Sequence, residues 1–192
     1  MKQSIILVLV AFLLSACGQK PVASEAGQPA GQNAAKTGDE VDQAPAMGAP
    51  SFKTQTGWTE EQVTSNMRIA QFRLPKVEGD AEDAEVVVFW FNGDGGGVDN
   101  NLNRWETQFA DAEGGPVPSK RSNFMVKGRR IDLIELEGTW AGSMGKGAGP
   151  GKAMVGAVIE NEKGLYFARL VGPAKTVFHW QPSYMSFLKS VY

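Results

Sequence analysis

Residues Glu85 to Phe91 have the sequence EVVVFWF, a continuous run of β-branched and aromatic side chains after one acid. Such a run is typical of a strand that is buried on both faces in the middle of a sheet. The next residues, Asn92 to Gly97 (NGDGGG), must form a turn or a loop. The sequence therefore predicts a fold organised around one central strand that ends in a glycine-rich loop.

Further strands are predicted on both sides of this central strand. Met67 to Leu74 (MRIAQFRL) alternates between apolar and polar residues and stops at Pro75, which suits an edge strand. Later in the chain, two pairs of segments are predicted to form β-hairpins. The first hairpin joins Phe124–Gly128 to Arg129–Gly138, and the second joins Ala153–Glu160 to Leu165–Val171.

Two helices are predicted from apolar residues at helical spacing. The first helix follows the glycine-rich loop, with Asp99 or Asn100 as its N-cap and Gly114-Gly115-Pro116 as its end. The second helix is Pro182 to Tyr192 at the end of the chain. The apolar stripe of the first helix is Val98, Leu102, Trp105 and Phe109, and that of the second is Tyr184, Phe187, Leu188 and Val191. This order of elements predicts an α+β fold with a mostly antiparallel β-sheet flanked by helices.

The element order, together with the tail Phe187-Leu188-Lys189-Ser190-Val191, resembles the PsbP/Mog1/DcrB type of small α/β sandwich over most of residues 58–192. Arg104-Trp105, Gly138-Thr139 and Leu170 to Pro173 are also similar to segments of bacterial lipoproteins of this kind. The resemblance implies an accessory or adaptor protein. It transfers no functional residue, because a fold alone does not fix a function.

The first residues of the chain predict its localisation. Ile5 to Leu14 (IILVLVAFLL) is an apolar run of ten residues, shorter than the roughly 20 that a membrane-spanning helix needs. The run ends in Leu14-Ser15-Ala16-Cys17, which resembles a bacterial lipobox, and Cys17 is the one cysteine of the chain. The alternative is an ordinary secretory signal with an incidental cysteine. We expect residues 1–16 to be a lipoprotein signal peptide and Cys17 to carry the lipid that attaches the protein to the membrane.

The residue after Cys17 is Gly18. In the lipoproteins that this chain resembles, an aspartate at that position favours retention in the inner membrane. We therefore expect attachment to the outer membrane, on its periplasmic face.

The mature chain is predicted to consist of a tether and one domain. Residues 17–50 comprise the lipidated cysteine and a linker of Ala, Gly, Gln and Pro that contains no aromatic residue. Such a composition cannot bury enough apolar surface to fold, so we expect the linker to be disordered. Residues 51–192 are expected to form a single globular domain, which is long enough to bury its own core.

Composition excludes several classes of function. The chain of 192 residues has 19 Lys and Arg against 21 Asp and Glu, a net charge of -2. A nucleic-acid-binding domain is normally strongly basic, so nucleic acid is not an expected partner. One cysteine and one histidine leave no intramolecular disulfide and no zinc cluster, and no cofactor is predicted.

The first candidate site is the loop 93–97 with the residues that follow it. Asp94, Asp99 and Asn100 offer hard oxygen atoms for calcium, and backbone N–H groups at a helix start can bind an anion. The same residues are also what a tight strand-to-helix turn requires.

The second candidate site is the loop 142–151 with the neighbouring Trp140. The stretch GSMGKGAGPGK has the composition of a phosphate-binding loop but not its spacing, so we expect a mobile hairpin tip that could contact a partner. Trp140 is the tryptophan most expected to form an exposed platform for a carbohydrate.

Catalysis is not predicted. His179 lies among apolar residues without a nucleophile motif, and Glu135 and Glu137 on one strand face are typical of a solvated surface. The sequence favours a non-catalytic, membrane-anchored module that binds another envelope protein. The alternative is a periplasmic small-ligand or carbohydrate-binding domain, or an enzyme, that uses the two glycine loops. A cleft lined by titratable side chains would favour this alternative, and a bare apolar patch would favour a partner protein.

Overall fold

The computed structural model describes residues 50–63, 65, 67–90, 95–143 and 147–192. Cys17, the predicted signal peptide and the predicted linker up to residue 49 lie outside this range. In chain order, the elements are β1 (Thr59–Glu60), β2 (Arg68–Leu74), β3 (Ala84–Trp90), α1 (Val98–Glu106), β4 (Phe109–Ala110), β5 (Lys120–Val126), β6 (Arg129–Trp140), β7 (Gly149–Asn161), β8 (Gly164–Pro173) and α2 (Ala174–Lys189).

The strands of the described residues form one sheet in the order β1-β2-β3-β8-β7-β6-β4, and β5 pairs with β6 next to β4. Every pair is antiparallel. β3 lies between β2 and β8, as the run EVVVFWF predicts. The predicted α+β fold with a mostly antiparallel sheet is therefore confirmed.

Each face of the sheet buries its own set of side chains. Because successive residues of a strand point to opposite faces, Val155 and Ala157 of β7 pack with α2, whereas Met154 and Val158 pack on the side of α1. The cluster on the α2 side includes Phe187, which stacks on Phe52 with the ring centroids 4.4 Å apart. The two helices thus lie on opposite faces of the sheet, and the core has two halves.

The start and the end of the described chain pair with each other. The N–H of Ser51 donates a hydrogen bond to the carbonyl of Tyr192, and the N–H of Tyr192 donates to the carbonyl of Ser51, each at 3.2 Å. None of the helices within the described part of the chain is long and apolar enough to cross a membrane.

The prediction of α1 was correct in its core-facing stripe but wrong at both ends. The helix begins at Val98 after Gly97, and no side chain caps it, so neither Asp99 nor Asn100 is the N-cap. It ends at Glu106, and Phe109 belongs to β4. Phe109 nevertheless contributes to the same half of the core as Leu102 and Trp105, which is why its spacing fitted the apolar stripe.

The predicted start of the last helix was also wrong. α2 begins at Ala174, directly after Pro173, and Pro182 lies inside it. A proline inside a helix cannot bond to the carbonyl four residues earlier. The carbonyl left without this bond belongs to Phe178, a residue on the exposed side of the helix. The helix extends to Ala174 because Thr176 and Val177 are buried.

Two strand predictions need smaller corrections. β2 is not the edge of the sheet, because the two-residue strand β1 pairs with it. The second glycine-rich loop is shorter than predicted, since Gly149 to Lys152 belong to β7. Within this stretch Gly149 pairs with Trp140 and Lys152 pairs with Gly138.

Candidate functional site

A groove of about 670 Å³ lies over β2, β3 and β8, on the face of the sheet that carries α1. The placement follows from strand alternation. Gln71, Phe89 and Val171 point to this face, whereas their neighbours Phe72, Val88 and Leu170 belong to the core on the α2 side. Helix α1 packs on β6 and β7 beside the groove.

Charged side chains line the groove. The acids are Glu61, Glu82, Asp83 and Glu85, and the bases are Arg68, Arg73 and Lys152. Arg73 of β2 pairs with Glu85 of β3, so an acid and a base from neighbouring strands meet on this face, whereas Glu61, Glu82 and Asp83 come from the segments next to the strands. The lining is therefore mixed in charge rather than a bare apolar patch.

Arg73 joins two of the acids. Its Nε lies 3.4 Å from Oε1 of Glu61, and its Nη1 lies 3.0 Å from Oδ2 of Asp83. The backbone N–H of Lys76 donates to Oδ1 of Asp83 at 2.8 Å. This N–H and the Arg73 guanidinium hold the pKa of Asp83 below its usual value. The carboxylate of Asp83 is thus ionised at neutral pH, and both of its oxygens already accept hydrogen bonds.

A second chain of contacts extends along β2. Nη1 of Arg68 donates to Oε1 of Gln71 at 2.5 Å, and Nε2 of Gln71 donates to Oε2 of Glu61 at 2.8 Å. At the far end of the groove, the ammonium of Lys152 forms an ion pair with Glu82. Burial lowers the pKa of Lys152.

Arg169 of β8 is the most deeply buried arginine at this face. The residue is 8% exposed, and its Nε has no hydrogen-bond partner among the described residues. Its Cζ lies 4.8 Å from the ring centroid of Phe89, and Cζ of Arg68 lies 5.6 Å from the same centroid. Burial lowers the pKa of Arg169 to about 10, an effect that Glu85 opposes and that Arg104 and Arg68 increase.

The first predicted site is not assembled by the described residues. Asp94 lies outside them. The carboxylate of Asp99 is 90% exposed and 4.0 Å from Nη1 of Arg121, and Nδ2 of Asn100 donates to the carbonyl of Gly96 at 2.9 Å. The part of the chain that the structure describes contains no group of three or more acidic, histidine or cysteine side chains placed to hold a metal ion.

The role predicted for Trp140 was wrong. Trp140 is 4% exposed and stacks on Phe109, with ring centroids 6.4 Å apart. It is the last residue of β6 and shares a face with Leu136 in the core under α1. The prediction failed because it ended the strand at Gly138, which would have left Trp140 in a loop. Trp140 borders the groove without forming an exposed platform.

The remaining candidates for catalysis are Glu135, Glu137 and His179, and of these Glu137 is exposed on β6 and lines no part of the groove. Glu135 of β6 forms an ion pair with Lys120 of the neighbouring strand β5, with Nζ and Oε1 3.3 Å apart. His179 is exposed on α2 and meets Trp180 edge to face at 5.0 Å between centroids. Neither residue lines the groove.

The sequence reasoning missed the residues that shape this groove. Arg169 carried a recognisable signal, since it is the one charged residue within the buried run Tyr166 to Val171 of β8. A charge inside such a run must find a partner or a special environment. Lys152 was overlooked because it was assigned to the glycine-rich loop.

No family model matches the sequence, and no curated protein sequence matches it. Several solved structures resemble the fold, among them the following two. One is a Pseudomonas aeruginosa protein of unknown function, described as a candidate regulator, with a TM-score of 0.50 and 14% identity over 70% of this chain and 96% of its own. The other is the cyanobacterial PsbP of Synechocystis, with a TM-score of 0.45 and 13% identity over 73% of this chain and 84% of its own. At these identities the likeness concerns the chain path alone.

Proposed function

We propose that this protein is a lipid-anchored accessory module of the bacterial cell envelope that binds a small polar ligand in the groove and catalyses no reaction. The observation that carries the binding role is the concave face over β2, β3 and β8 with its paired acids and bases. A face of this kind suits orientation of a ligand by a few polar groups.

The support for a binding role comes from the state of the charged groups. An acid or base catalyst needs a pKa near the working pH. Asp83 has a lowered pKa and is bonded to Arg73 and to a backbone N–H. Glu61 accepts from Gln71 and pairs with Arg73. These carboxylates are suited to fix the walls of the groove rather than to transfer protons.

The support for membrane attachment comes from the sequence. Leu14 to Cys17 has the lipobox pattern, and a lipid-modified cysteine with more than one acyl chain provides stable attachment. The linker would then place the domain at a root-mean-square distance of roughly 30 Å from its anchor, from the span of a flexible chain of its length.

The anchor is tested by metabolic labelling with a palmitate analogue. The wild-type chain should be labelled and Cys17→Ser should not. A second variant replaces residues 1–17 by an ordinary secretory signal, and its product should be soluble in the periplasm. Label retained by Cys17→Ser would show that the lipid is attached elsewhere and would overturn this assignment.

The groove is tested by native mass spectrometry of the gently purified protein. We expect an additional small mass on the wild-type chain that is lost in Gln71→Trp, which fills the groove floor. Glu113→Trp, on an exposed turn away from the groove, serves as the control. A retained ligand in Gln71→Trp would place binding elsewhere, and turnover of the ligand by the wild-type protein would contradict a non-catalytic role.

A further inference from the structure

Two arginines lie against the ring of Phe89, which lines the groove, and a third is close enough to one of them to affect its charge. Arg68 is on β2, Arg104 is on α1 and Arg169 is on β8; we call them the arginine cluster. Arg68 and Arg104 both raise the electrostatic cost of the charge on Arg169. Like charges this close repel one another, and the acid Glu85 offsets this repulsion only in part at Arg169.

None of the three forms an ion pair with an acid of the described residues. Arg68 donates to the amide oxygen of Gln71, and Arg104 donates through Nη2 to Oδ1 of Asn101 at 2.6 Å. Both acceptors are neutral. By contrast, Arg73, Arg121 and Arg130 each bind a carboxylate. The cluster therefore has donors available and a net positive charge of its own.

Among the three arginines of the cluster, Arg169 has the largest desolvation cost when no ligand is bound. It is more than nine-tenths buried, and its Nε is without a partner among the described residues. A buried guanidinium normally has a carboxylate or phosphate partner, because desolvation of an unpaired charge is unfavourable. The ring of Phe89, whose centroid lies 4.8 Å from Cζ, and the charge of Glu85 compensate only in part.

The cluster is connected to the groove through Phe89. This residue and Arg68 line the groove, and Arg169 packs against the same ring. In the sheet, Arg169 pairs with Val87, which lies between Phe89 and Glu85 on the same face of β3. An anionic group that entered the groove beside Phe89 would meet Arg68 first and the buried arginine next.

We propose that the groove binds a small molecule through a carboxylate group, which Arg169 and Arg68 receive beside Phe89. This inference rests on the proposed binding function and adds the class of ligand to it. The planar fork of a guanidinium matches the two oxygens of a carboxylate. A carboxylate is favoured over a dianionic phosphate because Glu61, Glu82, Asp83 and Glu85 line the same groove and would repel the larger negative charge.

The test is thermal unfolding of the full lipidated chain in detergent, with acetate, succinate and benzoate as probes against sodium chloride of equal ionic strength. At a concentration several times the dissociation constant, a carboxylate should raise the melting temperature by about 2–4 °C. Inorganic phosphate at equal ionic strength is the comparison. If no carboxylate raises the melting temperature above the chloride value, or if phosphate does so more strongly than every carboxylate, the assignment is overturned.

Substitutions test which residues bind the carboxylate. Arg169→Met should melt at a higher temperature than the wild-type protein without ligand, because it removes a buried charge that forms no ion pair among the described residues and whose Nε has no hydrogen-bond partner among them. The same variant should lose the rise caused by carboxylates. Arg121→Gln, which alters an arginine paired with Glu106, should keep that rise. A carboxylate-dependent rise that persists in Arg169→Met would overturn the proposal.

If Arg169→Met does not fold, Arg68→Gln replaces it. Arg68 is only partly buried on β2, and its loss removes one donor from the groove without a cavity in the core. At the same carboxylate concentration, the rise in melting temperature should fall to less than half of the wild-type rise. An unchanged rise would overturn the proposal. Labelling of Cys17 is independent of all these results, so failure of the ligand assignment and failure of the anchor are distinguishable.

Discussion

The indole of Trp105 lies directly over Gly156: a Cβ at Gly156 would come within 2.6 Å of both Cε3 and Cζ3 of Trp105. Gly156 belongs to β7 and Trp105 to α1, so this contact sets how closely the helix approaches the sheet. Trp105 is 2% exposed and meets Phe167 edge to face, with centroids 6.3 Å apart. Position 156 therefore accepts only a residue without a side chain, because the ring of Trp105 fills the space above the strand.

Gly156→Ala is expected to destabilise the protein by about 1–3 kcal/mol, because the added methyl group forces α1 away from the sheet. Chemical denaturation measures this loss. The matched comparison is the same change in a Trp105→Leu background, where the smaller side chain leaves room for the methyl group. An equal loss in both backgrounds would mean that the strand itself, and not the contact with Trp105, determines the cost.

Tyr184→Phe is expected to leave stability unchanged or to raise it slightly. Tyr184 is fully buried in α2, and its hydroxyl has no hydrogen-bond partner among the described residues. Burial also holds its pKa well above the usual value, so the folded protein keeps this hydroxyl neutral. Removal of an unsatisfied polar group is nearly neutral or favourable.

Tyr184→Leu provides the comparison for this prediction. It removes ring volume as well as the hydroxyl and should cost about 2–4 kcal/mol through the cavity it leaves. If Tyr184→Phe proved as destabilising as Tyr184→Leu, the hydroxyl would have a partner that stabilises the fold.

Protonation of the Glu106 carboxylate should make the protein less stable in acid. Oγ of Ser119 donates to Oε1 of Glu106 at 2.5 Å, and Nη2 of Arg121 lies 2.9 Å from Oε2. Both contacts hold the pKa of Glu106 below its usual value. A carboxyl group with a lowered folded pKa contributes stability above its unfolded value of about 4.3, and this contribution is lost as the pH falls through the folded value.

Glu106→Gln should therefore cost less than about 1 kcal/mol at pH 7, since both partners are about one-third exposed, and almost nothing at pH 3. Urea denaturation at the two pH values measures the difference. Glu113→Gln, on an exposed turn, is the control and should show no such change. A constant difference between pH 7 and pH 3 would contradict a role for the ionised form.

The hairpin between β6 and β7 should not tolerate removal of its whole glycine-rich stretch. Replacement of residues 142–152 by four residues would remove the pairing of Trp140 with Gly149 and of Gly138 with Lys152. Gly147 also covers the ring of Trp140, since a Cβ at Gly147 would lie 3.0 Å from Cζ3. We expect a loss of more than about 2 kcal/mol and a red-shifted tryptophan fluorescence, from exposure of a buried ring.

A variant that shortens only residues 143–146 is the matched control, and it should unfold close to the wild-type temperature because Gly149 to Lys152 still pair. If both variants unfolded at the wild-type temperature, the start of β7 would contribute nothing to stability.

Predictability from the sequence follows the strength of local patterns. The run EVVVFWF and the two hairpins were recognisable because strand alternation and turn residues act over a few neighbours. The ends of the helices were not, because tertiary contacts decide them. Phe109 has helical spacing but pairs in β4, and Pro182 has the character of a helix start but lies inside α2.

The groove could not be predicted from the sequence for a related reason. Arg68, Phe89 and Arg169 are far apart in the chain and become neighbours only because β3 pairs with β2 on one side and with β8 on the other. The order of strands in a sheet depends on non-local pairing, which no short motif encodes. Only the isolated charge of Arg169 in an apolar strand pointed to an unusual environment.

The predicted boundary between linker and domain lies at Ser51, and truncation of the chain can test it. Phe52 stacks on Phe187 of α2, and Trp58, which is 8% exposed, lies 5.1 Å from the same ring between centroids. Residues 50–58 thus form part of the core although they belong to no long element. Removal of residues 1–49, with export by an ordinary secretory signal, should leave the melting temperature within about 2 °C of the wild-type value, because the predicted linker contains no aromatic residue and few large apolar ones that could add to a core. Removal of residues 1–58 deletes two aromatic side chains from the core and also the hydrogen bonds between Ser51 and Tyr192. Since each buried aromatic ring is worth about 3–5 kcal/mol when truncated, the shorter protein should unfold far below the longer one or fail to fold.

Calorimetry of the two truncated proteins decides between these outcomes. Equal melting temperatures would place the domain boundary after Trp58 and would make residues 50–58 part of the tether.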